Sequence, residues 1–293
     1  MPLKISFKAS EVDKHEWDIN HLLYFKGKLY SASDDGKIKV WSSDLKFEGE
    51  VQAHPCSIYC LTASDDSLYS CSNDGTIKTW ELETLKEKKT VVNDPETEFW
   101  RIGFSNGCLF SGDNSGTIRV FKNDKHYGLI NIAEPIKDMA IDGARLFTSN
   151  LLDVVVTQTM IEGEKIHYGA KKVISGRAPL TLVRDKLCFS SRDGKSIVVH
   201  ENDEALAFPK YTEKIDVHEL IINALTGASW NGSDVLFSGG WDKVLKKWIL
   251  ENKNIVASDN LSLEFVITNM VAGESGQLFV GGENGNLIRV DMS

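Results

Sequence analysis

The 293-residue chain has no run of about 18 apolar residues and no apolar stretch near its start, so neither a spanning helix nor a secretory leader is expected. Positive charge is in short supply: 33 Lys and Arg stand against 42 Asp and Glu, a formal charge of −9. That balance disfavours a general nucleic-acid or anionic-membrane surface, which needs clustered bases, while leaving room for a local basic patch. The five cysteines (Cys56, Cys60, Cys71, Cys108, Cys188) are odd in number. They form no C-x-x-C pair and have no second ligand pair at zinc spacing, so they read as small buried apolar residues and no metal site is expected. Asn231-Gly232-Ser233 and Asn260-Leu261-Ser262 match the glycosylation pattern, but without a leader they read as accidental. Low-complexity segments are also missing. The chain reads as intracellular, cytoplasmic or nuclear, and its 42% hydrophobic residues suffice for a sizeable core.

What the chain does have is repetition. The stretch Leu29 to Trp41, LYSASDDGKIKVW, reads as strand, tight turn and strand, since Asp-Gly between alternating runs is a strong hairpin signal. It returns as LYSCSNDGTIKTW from Leu68, LFSGDNSGTIRVF from Leu109, LFSGGWDKVLKKW from Leu236 and LFVGGENGNLIRV from Leu278. Two weaker copies start at Leu146 and Leu187. Seven copies spaced by roughly 37 to 49 residues suit one four-stranded propeller blade each. The expected fold is therefore all-β, a seven-bladed β-propeller of antiparallel blades, with residues 1–293 forming one domain.

Ahead of each hairpin lies a short apolar run that reads as an innermost strand: from Ile19, Ile58, Phe99, Ile136, Pro179, Ile222 and Val266. In the sixth blade, GASWNGSD (227–234) is read as a lengthened turn between the inner strands. The last repeat supplies only three strands, whereas Leu3, Ile5 and Phe7 alternate with polar residues in a lone N-terminal strand. That strand is expected to complete the seventh blade and so close the ring, hiding a sheet edge.

The hairpins also share polar residues. The second has His54, Ser72, Asp74 and Trp80; the first has Ser33, Asp35 and Trp41 with His15 upstream; the sixth has Asp242 and Trp248, with His218 upstream and Gly240 where Ser would stand. This pattern resembles the WD-repeat family over essentially the whole chain. The resemblance implies a buried hydrogen-bond chain from Trp indole to Ser hydroxyl to His to Asp, and a satisfied network of that kind would fix one register. A Ser-His-Asp nucleophilic site is the rival reading, but repeating a triad blade after blade has no chemical use. Blades three (Ser115, Phe121), four (Leu152, Gln158), five (one extra residue after Gly194, then His200) and seven (Asn284, Val290) depart from the pattern.

Members of the family usually bind other chains on the face formed by the hairpin turns and the loops entering the inner strands. The resemblance places Tyr59, Trp100, Lys137, Arg192 and Trp241 on that rim, and Trp, Tyr and Arg dominate interface energetics. The expected function is a non-catalytic scaffold or adaptor, monomeric within a larger complex, binding a protein or peptide partner without a cofactor. A nucleic-acid adaptor and a small propeller hydrolase or esterase are the alternatives. The first is disfavoured by the charge, and for the second no nucleophile and base converge. No Trp-Asp-x-Arg follows the hairpins, as in many ubiquitin-ligase receptors of the family, and no Phe-Arg-Arg-Gly stands where phosphoinositide-binding propellers carry it.

Overall fold

Strict alternation turns each repeat into a sheet with two sealed faces. In Lys28–Ser33 and Lys37–Ser42 nearly every residue is buried, because neighbouring blades cover both sides. A computed structural model of the chain describes residues 2–162 and 165–292. Its strands form seven four-stranded antiparallel sheets arranged as the blades of a propeller. Blades one to six span 19–52, 58–93, 99–131, 138–175, 177–214 and 222–262. The seventh combines Ile267–Ala272, Gln277–Gly282 and Leu287–Met292 with the N-terminal strand Leu3–Lys8. Leu3 pairs with Met292 and Ile5 with Val290, so the first residues close the ring as expected.

The core is shared between blades rather than held inside one. Tyr69, Cys71 and Ile77 of blade two pack with Phe99, Ile102 and Phe121 of blade three. At the closure, Phe279 and Leu287 of blade seven pack with Ile19, Leu22 and Trp41 of blade one. Close approach explains several small residues in the second strands. A Cβ on Gly112, Gly239 or Gly281 would lie 2.6, 2.5 or 2.8 Å from the Ile that opens the next blade (Ile136, Ile267, Ile19). Four of the five cysteines are buried and all are free, in line with their reading as apolar residues.

Two details differ from the sequence reading. The segment 227–234 is not a long turn. Gly227 pairs with Leu236 and Trp230 with Ser233, so the hairpin simply extends outward and turns at Asn231-Gly232. In blade four Thr157, not Gln158, stands opposite the leading Leu146, because the missing turn glycine leaves this hairpin one residue shorter. No helix among the described residues is long and apolar enough to cross a membrane.

Candidate functional site

The face carrying the hairpin turns is built on three buried hydrogen-bond chains. In blade two the Trp80 indole donates to Ser70 Oγ at 2.9 Å, which lies 2.7 Å from His54 Nε2; His54 Nδ1 is 3.0 Å from Asp74. Blade one repeats this through Trp41, Ser31, His15 and Asp35, and blade six through Trp248, Ser238, His218 and Asp242. With the imidazole proton on Nδ1, directed at the carboxylate, Nε2 accepts the serine hydroxyl proton, while the serine oxygen accepts the indole N–H.

The serines are therefore not the expected Ser33 and Ser72, nor is Gly240 a gap in the sixth set. Leu29, Ser31 and Ser33 share one face with Trp41, but Trp41 pairs directly with Leu29. Ser31 is then the diagonal neighbour within reach of an indole, and Ser33 lies two residues beyond it. Ser33 and Ser72 instead accept the backbone N–H of Asp35 and Asp74 inside the turn.

Each aspartate ends its chain by fixing the rim. Asp35 accepts the N–H of Lys37 in the turn and of Glu16 in the loop before the inner strand. Burial pushes the Asp74 carboxyl up, but bonds from His54 and Thr76 outweigh it and bring it down to about 2. The serines of these chains are fully buried beneath tryptophan, so a substrate cannot reach the Ser-His-Asp triples. A basic residue two before each tryptophan adds a further tie that sequence reasoning missed: Lys39 Nζ donates to Asp13 O at 2.7 Å and Lys78 Nζ to Ala53 O at 3.0 Å.

The innermost strands enter this face through a repeated irregularity. A β-bulge falls between Ile19 and His21, Ile58 and Cys60, Phe99 and Arg101, Arg177 and Leu180, Ile222 and Ala224, and Ile267 and Asn269. In blades two and three the extra residue is Tyr59 or Trp100, two of those expected on the rim, and bulges re-aim side chains. Asn20 and Asn223 use the bulge to donate to the next blade, at Ile58 O and Ile267 O, each at 3.2 Å. Tyr59 and Trp100 instead place aromatic rings there.

Of the five expected rim residues, Trp100 and Lys137 are in contact, and Tyr59 feels the charge of Glu98, which binds Trp100. The Trp100 indole donates to Glu98 at 2.9 Å, and Lys137 Nζ lies 3.6 Å from the centre of the Trp100 ring. Burial, then the charges of Glu98 and Asp34, raise the Tyr59 hydroxyl above its usual range. Arg192 is separate: it bonds Leu152 O and Asp153, tying blade five to blade four. Trp241 is 55% exposed in blade six, next to Leu220 and Ile221. Lys137, Leu151, Arg177 and Ile221 line the central channel, a cavity of about 660 Å³. Among the described residues no group of three or more His, Cys, Asp or Glu could hold a metal.

The family described as WD domain, G-beta repeat matches residues 9–42 and 45–81. These matches contain the complete hydrogen-bond chains of blades one and two. The chain is a WD-repeat β-propeller. A putative E3 ubiquitin-protein ligase, LIN-1 from Lotus japonicus, is 25% identical over 282 residues, which is 92% of this propeller and 18% of that protein. The ubiquitin homeostasis protein lub1 of Schizosaccharomyces pombe is 33% identical over 112 residues, 38% of this propeller and 16% of lub1. The WD-repeat propeller thus spans under a fifth of either relative, at 18% and 16%. The crystal structure of the WD40 β-propeller domain of Doa1 superposes with a TM-score of 0.79 at 16% identity, covering 99% of this chain and 97% of that one. At that identity the likeness shows the fold.

Proposed function

We propose that this WD-repeat propeller is a non-catalytic protein-interaction scaffold that docks a protein or peptide on the face of its hairpin turns. The contact residues are Tyr59, Trp100, Lys137, Arg192 and Trp241. The observation that carries this reading is the exposed apolar rim on that face: Leu151, Leu152, Leu220, Ile221 and Trp241 are 37–58% exposed although the ring closes its own core elsewhere. Contiguous exposed apolar side chains mark interaction surfaces, and a rim fixed by buried hydrogen bonds loses little entropy on binding. Ubiquitin stands in the names of both curated relatives, so ubiquitin or a ubiquitinated protein is the partner class to try first.

The test is affinity capture from source-cell lysate, together with titration of purified ubiquitin. Wild type is compared with a Trp100→Ala/Trp241→Ala double variant that melts normally. Loss of a partner in the double variant supports docking on this face. Survival of every partner contradicts the assignment.

A further inference from the structure

The charge inside the channel mouth is opposite to that of the chain. The cavity wall carries Arg101, Lys137 and Arg177, against a single acid, Asp138. Arg101 and Asp138 neutralise one another at 3.1 Å, and Asp138 also accepts the backbone N–H of Leu180 at 2.9 Å. Two cations are left over. Lys137 rests on the Trp100 ring and makes no ion pair among the described residues, and Glu98, whose charge it feels, is held by the indole of that same tryptophan. Arg177 makes no ion pair among the described residues, and its buried Nε has no hydrogen-bond partner.

A guanidinium with a dry, unbonded N–H is costly unless something completes it, and Arg presents a planar fork suited to a carboxylate. In a chain of net charge −9, two cations around one cavity with no ion pair among the described residues are a local inversion. The surroundings narrow the occupant further. Leu151 of blade four and Ile221 of blade six flank Arg177 at the mouth and are 51% and 37% exposed. A free anion would leave these side chains in water, whereas a peptide with aliphatic residues on either side of an acid would cover them.

We propose that the channel mouth is a receptor for an acidic side chain of the partner, an Asp or Glu flanked by aliphatic residues, whose carboxylate is taken by Arg177 and Lys137. The proposal rests on the docking face proposed above and names the chemistry of what enters it. Burial and the Arg101 charge hold the Lys137 ammonium below its ordinary value, against the pull of Glu98, and a bound carboxylate would reverse that.

Binding is tested with the immobilised full chain and three fluorescent nonapeptide pools of matched flanks. Their centres are Leu/Ile-Asp/Glu-Leu/Ile, the same with Asn/Gln, and the same with phosphoserine. The acidic pool should be retained about ten-fold or more above the amide pool, as expected for one desolvated charge pair. Arg177→Met and Lys137→Met should each abolish most of that excess, with Arg177→Lys recovering part of it. All variants are first shown to melt like wild type. Equal retention of acidic and amide pools, retention of the phosphoserine pool alone, or an acidic excess that survives both methionine variants would overturn the proposal. If lysate partners are lost with Trp100→Ala/Trp241→Ala but kept with Arg177→Met, the docking face stands and the carboxylate receptor falls. If they are kept with both, the docking face falls as well.

Discussion

The Trp80 indole donates to Ser70 at 2.9 Å, while Ser72, two residues along the same strand, donates to Ser57 O at 2.7 Å and accepts the Asp74 N–H. One hydroxyl therefore links Trp80 to His54, and the other does not. Removing Ser70 or Trp80 should each cost about 1–3 kcal/mol, because the remaining buried partner loses its bond. The two changes should be non-additive: the Ser70→Ala/Trp80→Phe cycle should show a coupling of at least about 0.5 kcal/mol. The Ser72→Ala/Trp80→Phe cycle should be additive within error. Urea unfolding of the six proteins decides this, and coupling to Ser72 instead would refute the chain as drawn.

Gly75 sits in the blade-two turn at φ +80°, where a Cβ would lie 2.1 Å from the Asp94 carbonyl oxygen. Gly107 has a similar φ of +72° but open space around it. Gly107→Ala should cost about 1 kcal/mol through backbone strain alone. Gly75→Ala should cost clearly more, since the turn must also move away from the loop into blade three. Equal losses of melting temperature in the two variants would contradict the close approach.

His21 lines the channel with Nδ1 accepting the Leu61 N–H at 3.3 Å, and burial plus the Arg101 charge lower its pKa to about 3. The folded imidazole stays neutral where an unfolded one, near pH 6.5, takes up a proton. The stabilisation is therefore complete above about pH 6.5 and is lost as pH falls towards 3. Burial also lowers His200 and His218, which add in the same sense. Between pH 7 and 5, His21→Gln should lose less stability than wild type, by a part of the ~1.4 kcal/mol per pH unit that one excluded proton would give. Parallel stability curves for the two proteins would refute this.

Leu3 is buried in a cluster with Ile288 and Val290, across the seam of blade seven. Leu3→Ala should cost about 2–3 kcal/mol. Deletion of residues 2–8 should cost more and also bring on concentration-dependent association, because it bares the Leu287–Met292 strand edge. Calorimetry of the deletion at two concentrations measures both effects. A melting temperature equal to wild type would show that the ring does not depend on this strand.

The fold was legible because each repeat carries its own signals. The Asp-Gly turns of blades one, two and five, the Trp closing blades one, two and six, and the alternation set the repeat, and the unpaired alternation at Leu3, Ile5 and Phe7 points to closure. The serine of the hydrogen-bond chain was not legible, since Ser31 and Ser33 both lie on the Trp41 face and only cross-strand reach separates them. A pairing of Leu29 with Trp41, once assumed, would have singled out Ser31. At 227–234 the Asn231-Gly232 turn signal was present, but glycine and serine around it masked a strand that gains order only by pairing. Arg177 was invisible for a different reason. A lone Arg at a strand start shows its lack of a partner only when the surrounding acids have positions.

Which face of the propeller meets its partner is tested most directly by hydrogen–deuterium exchange of the chain with and without that partner. New protection is expected at the hairpin turns and inner-strand entries of that face, in particular at 57–60, 97–101, 150–152, 176–178 and 219–223. Protection confined to outer strands such as Glu87–Asn93 and Lys165–Ser175 would place the partner on the blade edges and contradict it.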